Sequence, residues 1–462
     1  MVVFANPFHF ARRHSRRSLP HSVVTQSIPE RFVNKMISSE QSTPDSSPEI
    51  SRSTTPGTEH DVLFDSSSSL LPDGREERYV LVTGGLGFIG SHTVVELMKA
   101  GHNVLIVDDL SNSADDVYDR ILETAHIHFA RFGGQCPEAH FHNTNYRDMP
   151  AMRELLDTFK LPGSHQLYSP SESRSLIMGV IHFAAFKAVE ESIRQPMRYY
   201  YNNITGLLDF IGLLEEYSIR NFIFSSSAAV YGSWADGSKL LREEHCVHEN
   251  EIYVETDGDA KLSQPGYAGI TSPYGRTKFF GEAILADLAR SDPNWTIFAL
   301  RYFNPVGCDS EGLLGEDPKG VPSNLLPVVV KVMTGQIPEL SVYGNDWQTP
   351  DGTAVRDFIH VTDLAKGHTA ALCVAQANRV PGFRTINLGA GRGHSVEEVV
   401  KTMEAVSGRS VPRRVVARRA GDVQSSVAAA NRAKTELGWT ANKTLMDACQ
   451  DTWNHLTLRN EV

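Results

Sequence analysis

YVLVTGGLGFIG, residues 79 to 90, is the stretch that decides the fold. Tyr79, Val80, Leu81 and Val82 form an apolar, β-prone run that breaks at Thr83 into glycines, the pattern of a buried strand. Gly84, Gly87 and Gly90 are spaced GxxGxxG, and Ser91 to Ala100 reads as a helix ended by Gly101. Glycines between strand and helix let backbone approach a pyrophosphate. The helix N-terminus adds unpaired N–H groups and the positive end of its dipole. A second strand, His102 to Val107, leads to Asp108, eighteen residues after Gly90. A carboxylate at that distance accepts from a ribose 2′-hydroxyl and repels a 2′-phosphate, which favours NAD over NADP. Alone, the glycines would be a plain turn; strand, helix and spaced acid together predict a dinucleotide site.

Towards the C-terminus the alternation repeats. Leu122 to Asn145 carries a third helix–strand step and Ala151 to Phe159 a helix. Met178 to Ala185 is a buried strand, Asn202 to Glu216 a helix, and Asn221 to Phe224 a strand running into Ser225, Ser226 and Ser227. Gly163 to Ser175 reads as an inserted polar loop, and residues 233–270 as a longer polar excursion on the surface, away from chemistry. Repeated βα units predict an α/β fold, a Rossmann-type doubly wound parallel sheet with ligands at the carboxyl ends of its strands. That rule gathers Gly84–Gly90, Asp108, Ala184–Lys187 and Ser225–Ser227 at one crevice. No carboxylate accompanies His126, His128, His140 and His142 at a fixed spacing, so they read as surface and strand residues, and no metal site is expected.

SPYGRTK, Ser272 to Lys278, opens another helix. Tyr274 and Lys278 are four residues apart and point from one face. A phenol serves as a base near neutral pH only when its pKa falls from about 10. An ammonium one turn away stabilises the phenolate, as does the positive ring of an oxidised nicotinamide. The lysine can also bind the nicotinamide ribose, and Ser227 can bridge the phenol and a substrate alcohol. An isolated Tyr-x-x-x-Lys is usually a solvated helix face; here a cofactor fold and a strand ending in serines precede it.

The 462 residues are 41% hydrophobic and 21% charged, globular values, and the formal charge of -11 argues against a nucleic-acid partner. Five scattered cysteines without a CxxC pair suggest neither a disulfide framework nor zinc, and no apolar run is long enough to span a membrane. A reducing compartment, the cytoplasm, is the simple reading. Residues 1–77 are different: Ser42–Pro48, Ser51–Pro56 and Ser66–Ser69 have the composition of a disordered tail. Arg12, Arg13, Arg16 and Arg17 precede any acid before Glu30, which leaves an organelle transit peptide open, although Pro7 interrupts the helical pattern and Met36 offers a later start.

VTGGLGFIGSHT, IHFAAFKAVEES, YYYNNITG, FIFSSSAAVYG, SPYGRTK, LRYFNPVG, GEDPKGVPSNLLP, DGTAVRDFIHVTDLA, INLGAGRGHSV and the closing ELGW jointly resemble the extended short-chain dehydrogenase/reductases and, among them, the UDP-glucose 4-epimerase family. The likeness runs from about Tyr79 to Trp453. It implies an NAD-dependent isomerase of galactose metabolism that inverts C4 of UDP-hexoses. Tyr274 takes the proton of the sugar 4-hydroxyl while hydride leaves C4 for a permanently bound NAD. The 4-keto sugar turns over, and hydride returns to its other face. By the same resemblance the catalytic residues are Tyr274, Lys278 and Ser227. Cofactor contacts fall to Gly84, Gly87, Phe88, Ile89, Gly90, Asp108, Asn112, Ser113, Asn145, Tyr146, Phe183, Ala184, Ala185, Lys187, Asn202, Ser225 and Tyr302, besides Tyr274 and Lys278. The UDP-sugar falls to Ser227, Tyr274, Asn304, Asn324, Leu325, Tyr343, Arg356, Arg419, Asp422 and Ser426. Arg356 and Arg419 suit a diphosphate because guanidinium forks match phosphate oxygens.

Three positions depart from the family pattern. Asn145 stands where an aspartate often meets adenine, and Asp109 where an asparagine is common. Ser426 replaces a tyrosine that narrows the pocket beside the sugar 2-position in some members. Its smaller volume permits an N-acetyl group, so UDP-GalNAc and UDP-GlcNAc are expected substrates too. A sugar-nucleotide 4,6-dehydratase would need an acid pair after Ser227, where Ala228 and Ala229 stand. A UDP-glucuronate 4-epimerase remains an alternative, as does a non-catalytic NAD-binding sensor, which would not need the intact Tyr274, Lys278 and Ser227. The expected layout is an NAD domain over 78–303 with a returning segment near 357–388, and a smaller C-terminal UDP-sugar domain of α/β type from 304–356 and 389–455. The resemblance further implies a homodimer formed through a helix pair.

Overall fold

The computed structural model describes residues 78–459 apart from 161–174, 237–239, 255–257, 268, 321, 323, 378–379 and 420. The expected tail over 1–77 and nearly all of the expected loop over 163–175 lie outside the described residues. The opening strand, β1 (Tyr79–Thr83), is buried along its whole length. It lies inside a seven-stranded sheet with β2 (Asn103–Asp108), β3 (Ala139–Asn143), β4 (Ile177–His182), β5 (Asn221–Ser227), β6 (Thr296–Tyr302) and β7 (Gly382–Leu388). The spatial order is β7-β6-β5-β4-β1-β2-β3, and every pairing is parallel. Chain direction across the sheet reverses between β1 and β4. A crevice opens at such a switch point beyond the carboxyl ends of the strands.

Alternation along the strands loads both faces. Val80, Val82, Val104 and Ile106 pack with the helices Phe88–Lys99, Asp116–Phe132 and Val361–Gln376. Leu81, Leu105, Val107 and Val180 pack with Met149–Thr158, Gly206–Glu216 and Pro273–Ser291. Burial on both faces explains why these strands read as continuous apolar runs rather than as alternating ones. The fold is the expected α/β, Rossmann-type arrangement.

Outside the seven-stranded sheet the strands after β6 are shorter. Asn304–Val306, Gly393–Ser395 and Ser425–Ser426 all pair with Val355–His360, and Leu340–Tyr343 pairs with Arg413–Val416. A further core joins these strands to the helices Leu325–Met333, Val396–Ser407 and Leu445–Leu458. Two sequence expectations change. The serines after Phe224 belong to β5 itself, in register with Leu300, Arg301 and Tyr302 of β6. The segment expected as a surface excursion also enters the interior. Leu241 N–H donates to the Val427 carbonyl at 2.8 Å, and Glu243, Cys246 and Val247 are buried. A polar stretch can do this because its acids find partners: Glu243 Oε1 accepts from Asn387 N–H at 2.7 Å.

Candidate active site

The glycine loop is built from backbone. Gly84 holds φ at +71°, and a Cβ there would lie 2.9 Å from Ala184 N. A Cβ on Gly90, which sits in the first helical turn, would lie 2.2 Å from the Gly84 carbonyl oxygen. Gly87 caps the helix Phe88–Lys99 without a side chain, so that end keeps its N–H groups for an anion. Around it, Phe88, Asn112, Ser113 and Lys187 line one recess. A backbone cradle of this shape, which a single methyl would fill, fits a dinucleotide pyrophosphate.

Asp108 is buried at the end of β2. Its carboxylate accepts from Leu86 N–H and Leu110 N–H at 3.0 Å each, and from Ser113 Oγ at 2.7 Å. It therefore ties the glycine loop to the next turn. Two of the three positions expected to depart from the family pattern meet here: Asn145 Nδ2 donates to Asp109 Oδ2 at 2.7 Å, and Asn145 Oδ1 accepts from Arg147 N–H at 2.9 Å. Amide and carboxylate thus form one hydrogen-bonded pair. Tyr146 gives its hydroxyl to the Asn202 carbonyl, so that hydroxyl holds framework. Asn202 lies in a single π-helical turn, Tyr201–Thr205, which carries Asn202 and Asn203 inward. Phe183 and Tyr302 pack on His368 with ring centroids 4.7 and 5.6 Å away, and Phe183 N–H donates to Thr83 O at 2.9 Å. Ile89 packs against the core behind the loop. Ala184 and Ala185 follow β4, half-buried.

The helix Pro273–Ser291 starts at Ser272, whose Oγ accepts from Gly275 N–H at 3.1 Å, with Pro273 at the first position. This start fixes Tyr274 and Lys278, both buried, against the carboxyl end of β5. Lys278 Nζ donates to the Ser225 carbonyl, lies 3.2 Å from Ser225 Oγ and sits over the Phe224 ring at 4.9 Å. Burial pulls its pKa down to about 7, against an upward pull from Glu282. Burial raises Tyr274, and its hydrogen bond with Ser227 lowers it. The lysine is thus anchored on Ser225, and burial leaves the Tyr274 phenol above its ordinary range.

Of the residues expected to hold the sugar nucleotide, Arg356, Arg419 and Asp422 come together across short strands and turns. Arg419 Nη2 lies 2.9 Å and Arg356 Nη2 3.9 Å from Asp422 Oδ1, and the Arg419 guanidinium covers the Tyr343 ring at 5.0 Å. Ser426 is the strand partner of Arg356. Asn304 pairs with Phe358, and Asn324 caps the helix Leu325–Met333.

Sequence reasoning missed three residues that connect these parts. Glu316 lies 3.6 Å from Lys187 Nζ and accepts from Asn324 Nδ2 at 2.7 Å, linking a residue expected at the cofactor to one expected at the sugar nucleotide. Asp357 accepts from the N–H groups of Ala390, Gly391 and Ala428 and so shapes the loops beside Ser426. Glu282 continues the Tyr274–Lys278 spacing by one more turn, a signal present in SPYGRTKFFGE. Among the described residues no cluster of metal-ligating side chains occurs, and no helix is long and apolar enough to cross a membrane.

A switch-point glycine cradle and a buried Tyr-x-x-x-Lys with a strand-end serine define an extended short-chain dehydrogenase/reductase. The profile of the GDP-mannose 4,6 dehydratase family matches residues 81–452. UDP-glucose 4-epimerase of Dictyostelium discoideum is 42% identical over 379 residues, covering 82% of this chain and 96% of that protein. The structure of UDP-glucose-4-epimerase from Stenotrophomonas maltophila with bound NAD and formylated UDP-arabinopyranose has a TM-score of 0.68 at 39% identity, covering 83% of this chain and 99% of that one. The Bifidobacterium longum enzyme in complex with NAD+ and UDP has a TM-score of 0.67 at 38% identity, with the same coverage. The chain belongs to the UDP-glucose 4-epimerase family.

Proposed function

We infer that the protein is an NAD-dependent epimerase inverting C4 of UDP-hexoses, interconverting UDP-galactose and UDP-glucose. The observation that carries this reading is the burial of Tyr274 and Lys278 beside Ser227, at the end of the sheet that also holds the glycine cradle. Bound NAD supplies the hydride acceptor and donor and a positive ring. Tyr274 removes the 4-hydroxyl proton and later restores it, with Ser227 bridging the two oxygens. Lys278, anchored by Ser225, adds positive charge beneath the phenol. Arg356 and Arg419 hold the diphosphate, with Asp422 keeping the pair oriented until substrate arrives. Asn304, Asn324, Leu325 and Tyr343 complete the sugar-nucleotide contacts. The cofactor contacts are those named from the sequence, in an NAD domain over 78–303 with the 357–388 return and a sugar domain from 304–356 and 389–455.

Ser426 beside Arg356 leaves the volume for an N-acetyl group, and the same site turns over UDP-GalNAc and UDP-GlcNAc. A homodimer forms through the helices around 189–216 and 273–291. Val189, Ile193, Met197 and Tyr201 recur every four residues there and are exposed, as are Leu208 and Phe280. Such a stripe marks a partner surface. All five cysteines are free, in keeping with the reducing cytoplasm.

Incubation of the purified protein with UDP-galactose and, separately, UDP-GalNAc, without added cofactor, tests the reading by proton NMR of the anomeric signals. Both convert to their gluco epimers. No turnover of either, even with NAD added, would overturn the epimerase assignment. Turnover of UDP-galactose alone would remove the Ser426 argument.

A further inference from the structure

The helix that carries Tyr274 and Lys278 brings a third ionisable residue to the same face, and the chemistry above makes no use of it. Glu282 lies one turn beyond Lys278 and is fully buried, as is Arg301. Glu282 Oε1 accepts from Arg301 Nε at 2.9 Å and from Ser226 Oγ; Oε2 accepts from Arg301 Nη2 at 2.7 Å and lies 2.7 Å from His248 Nε2. These partners come from β5, from β6 and from the insertion over 233–270. A lone buried carboxylate would take up a proton. Burial does push Glu282 up, but Arg301 and His248 more than offset it and hold its pKa at about 2.

The surroundings of Lys278 show what this charge acts on. Ser225 and the Phe224 ring offer dipoles only. His182 on β4 is pushed down to about 3 by burial and by Lys278, so it is neutral. Tyr302 on β6 and Tyr231 after β5 are raised by burial, and Cys246 in the insertion is pushed up to about 11, so these three are neutral as well. Glu243 gives Arg301 its backbone carbonyl, while its carboxylate binds Asn387 N–H. Tyr274 itself is a neutral phenol before reaction. Against the desolvation of Lys278, the opposing charge is Glu282.

We propose that Glu282 is a positioning residue for the epimerisation: clamped by Arg301, Ser226 and His248, its carboxylate keeps the Lys278 side chain charged beneath Tyr274. The proposal rests on the Tyr274–Lys278 chemistry above. Activity needs the phenol deprotonated and the lysine protonated. Without the Glu282 charge, Lys278 loses its proton at lower pH, and a neutral lysine leaves the phenol harder to ionise. The alkaline limb of the pH–rate profile therefore moves to lower pH, while the acid limb, where Lys278 is protonated in either case, does not move inward.

The test is kcat for UDP-galactose between pH 5 and 10 in the holoenzyme, for wild type, Glu282→Gln and Glu282→Asp. For Glu282→Gln the alkaline limb moves down by about one unit and peak kcat falls about tenfold with little change in KM. Glu282→Asp, which keeps the charge, recovers most of the width. A Glu282→Gln protein with lowered Tm but an unmoved alkaline limb would make Glu282 merely structural and overturn the proposal. Glu282→Gln leaves Arg301 buried and unpaired. Where that prevents folding, Glu282→Gln with Arg301→Met removes both charges, and such paired removal is commonly tolerated. The same downward shift of the alkaline limb is expected there, and an unmoved alkaline limb overturns the proposal equally. An inactive wild type would instead defeat the epimerase reading itself.

Discussion

The proposed cofactor side and the proposed sugar-nucleotide side of the crevice are made of different material. On the first, main chain faces the ligand: Gly84, Gly87 and Gly90 clear the space, and Asp108 spends two of its bonds holding Leu86 and Leu110 in place. On the second, long side chains on two- to six-residue strands and their turns do the facing, and Arg356 and Arg419 already share Asp422 as a counterion. A backbone site is rigid, with little to reorganise when a ligand binds. A side-chain site exchanges one ion pair for another, so its affinity is graded and its specificity adjustable. The difference suits a cofactor that stays and a substrate that leaves.

The sharpest way to break this contrast is Gly90→Ala. Its Cβ would meet the Gly84 carbonyl oxygen at 2.2 Å, a backbone atom that cannot step aside. NAD retention, read from cofactor released on denaturing purified protein, is expected to fall by more than about a hundredfold, the scale of losing several charge-assisted hydrogen bonds. Retained NAD would mean that the loop is softer than its geometry. Arg419→Ala is expected to do less: UDP binds about tenfold more weakly by calorimetry, one charge-assisted contact, while NAD content stays whole. If both ligands fell together, the two sides would not be separable.

The smallest effect concerns the Asp109–Asn145 pair. Asn145→Asp sets a second carboxylate where the amide now meets Asp109 at 2.7 Å, and NAD affinity is expected to drop several-fold. Asp109→Asn with Asn145→Asp restores one charge and one amide, and affinity should return to within about twofold of wild type. Additive losses in the double variant would show that the pair does not act as a unit.

Much of the cofactor side was legible in the chain because its signals are local. Strand, glycine spacing, helix start and the Asp108 interval all fall within thirty residues, and each has a distinct backbone consequence. The Tyr-x-x-x-Lys spacing is equally local. Residues 241–248 were not legible, since a polar composition usually marks a surface loop; here Asn387, Arg432 and Glu282 satisfy the polar groups from far along the chain. Asp109 and Asn145 could each be seen to depart from the family pattern, but nothing in their order showed that they touch.

The sequence by itself determined the sheet, the glycine turn and the residue types available for proton transfer, because periodicity, glycine freedom and helix spacing act over a few residues. Only the tertiary structure decided their state. Whether Lys278 is charged, whether Tyr274 is poised and what Glu282 is for depend on desolvation and on partners from β5, β6 and the insertion. Those electrostatic terms arise when residues distant in sequence share one dry volume.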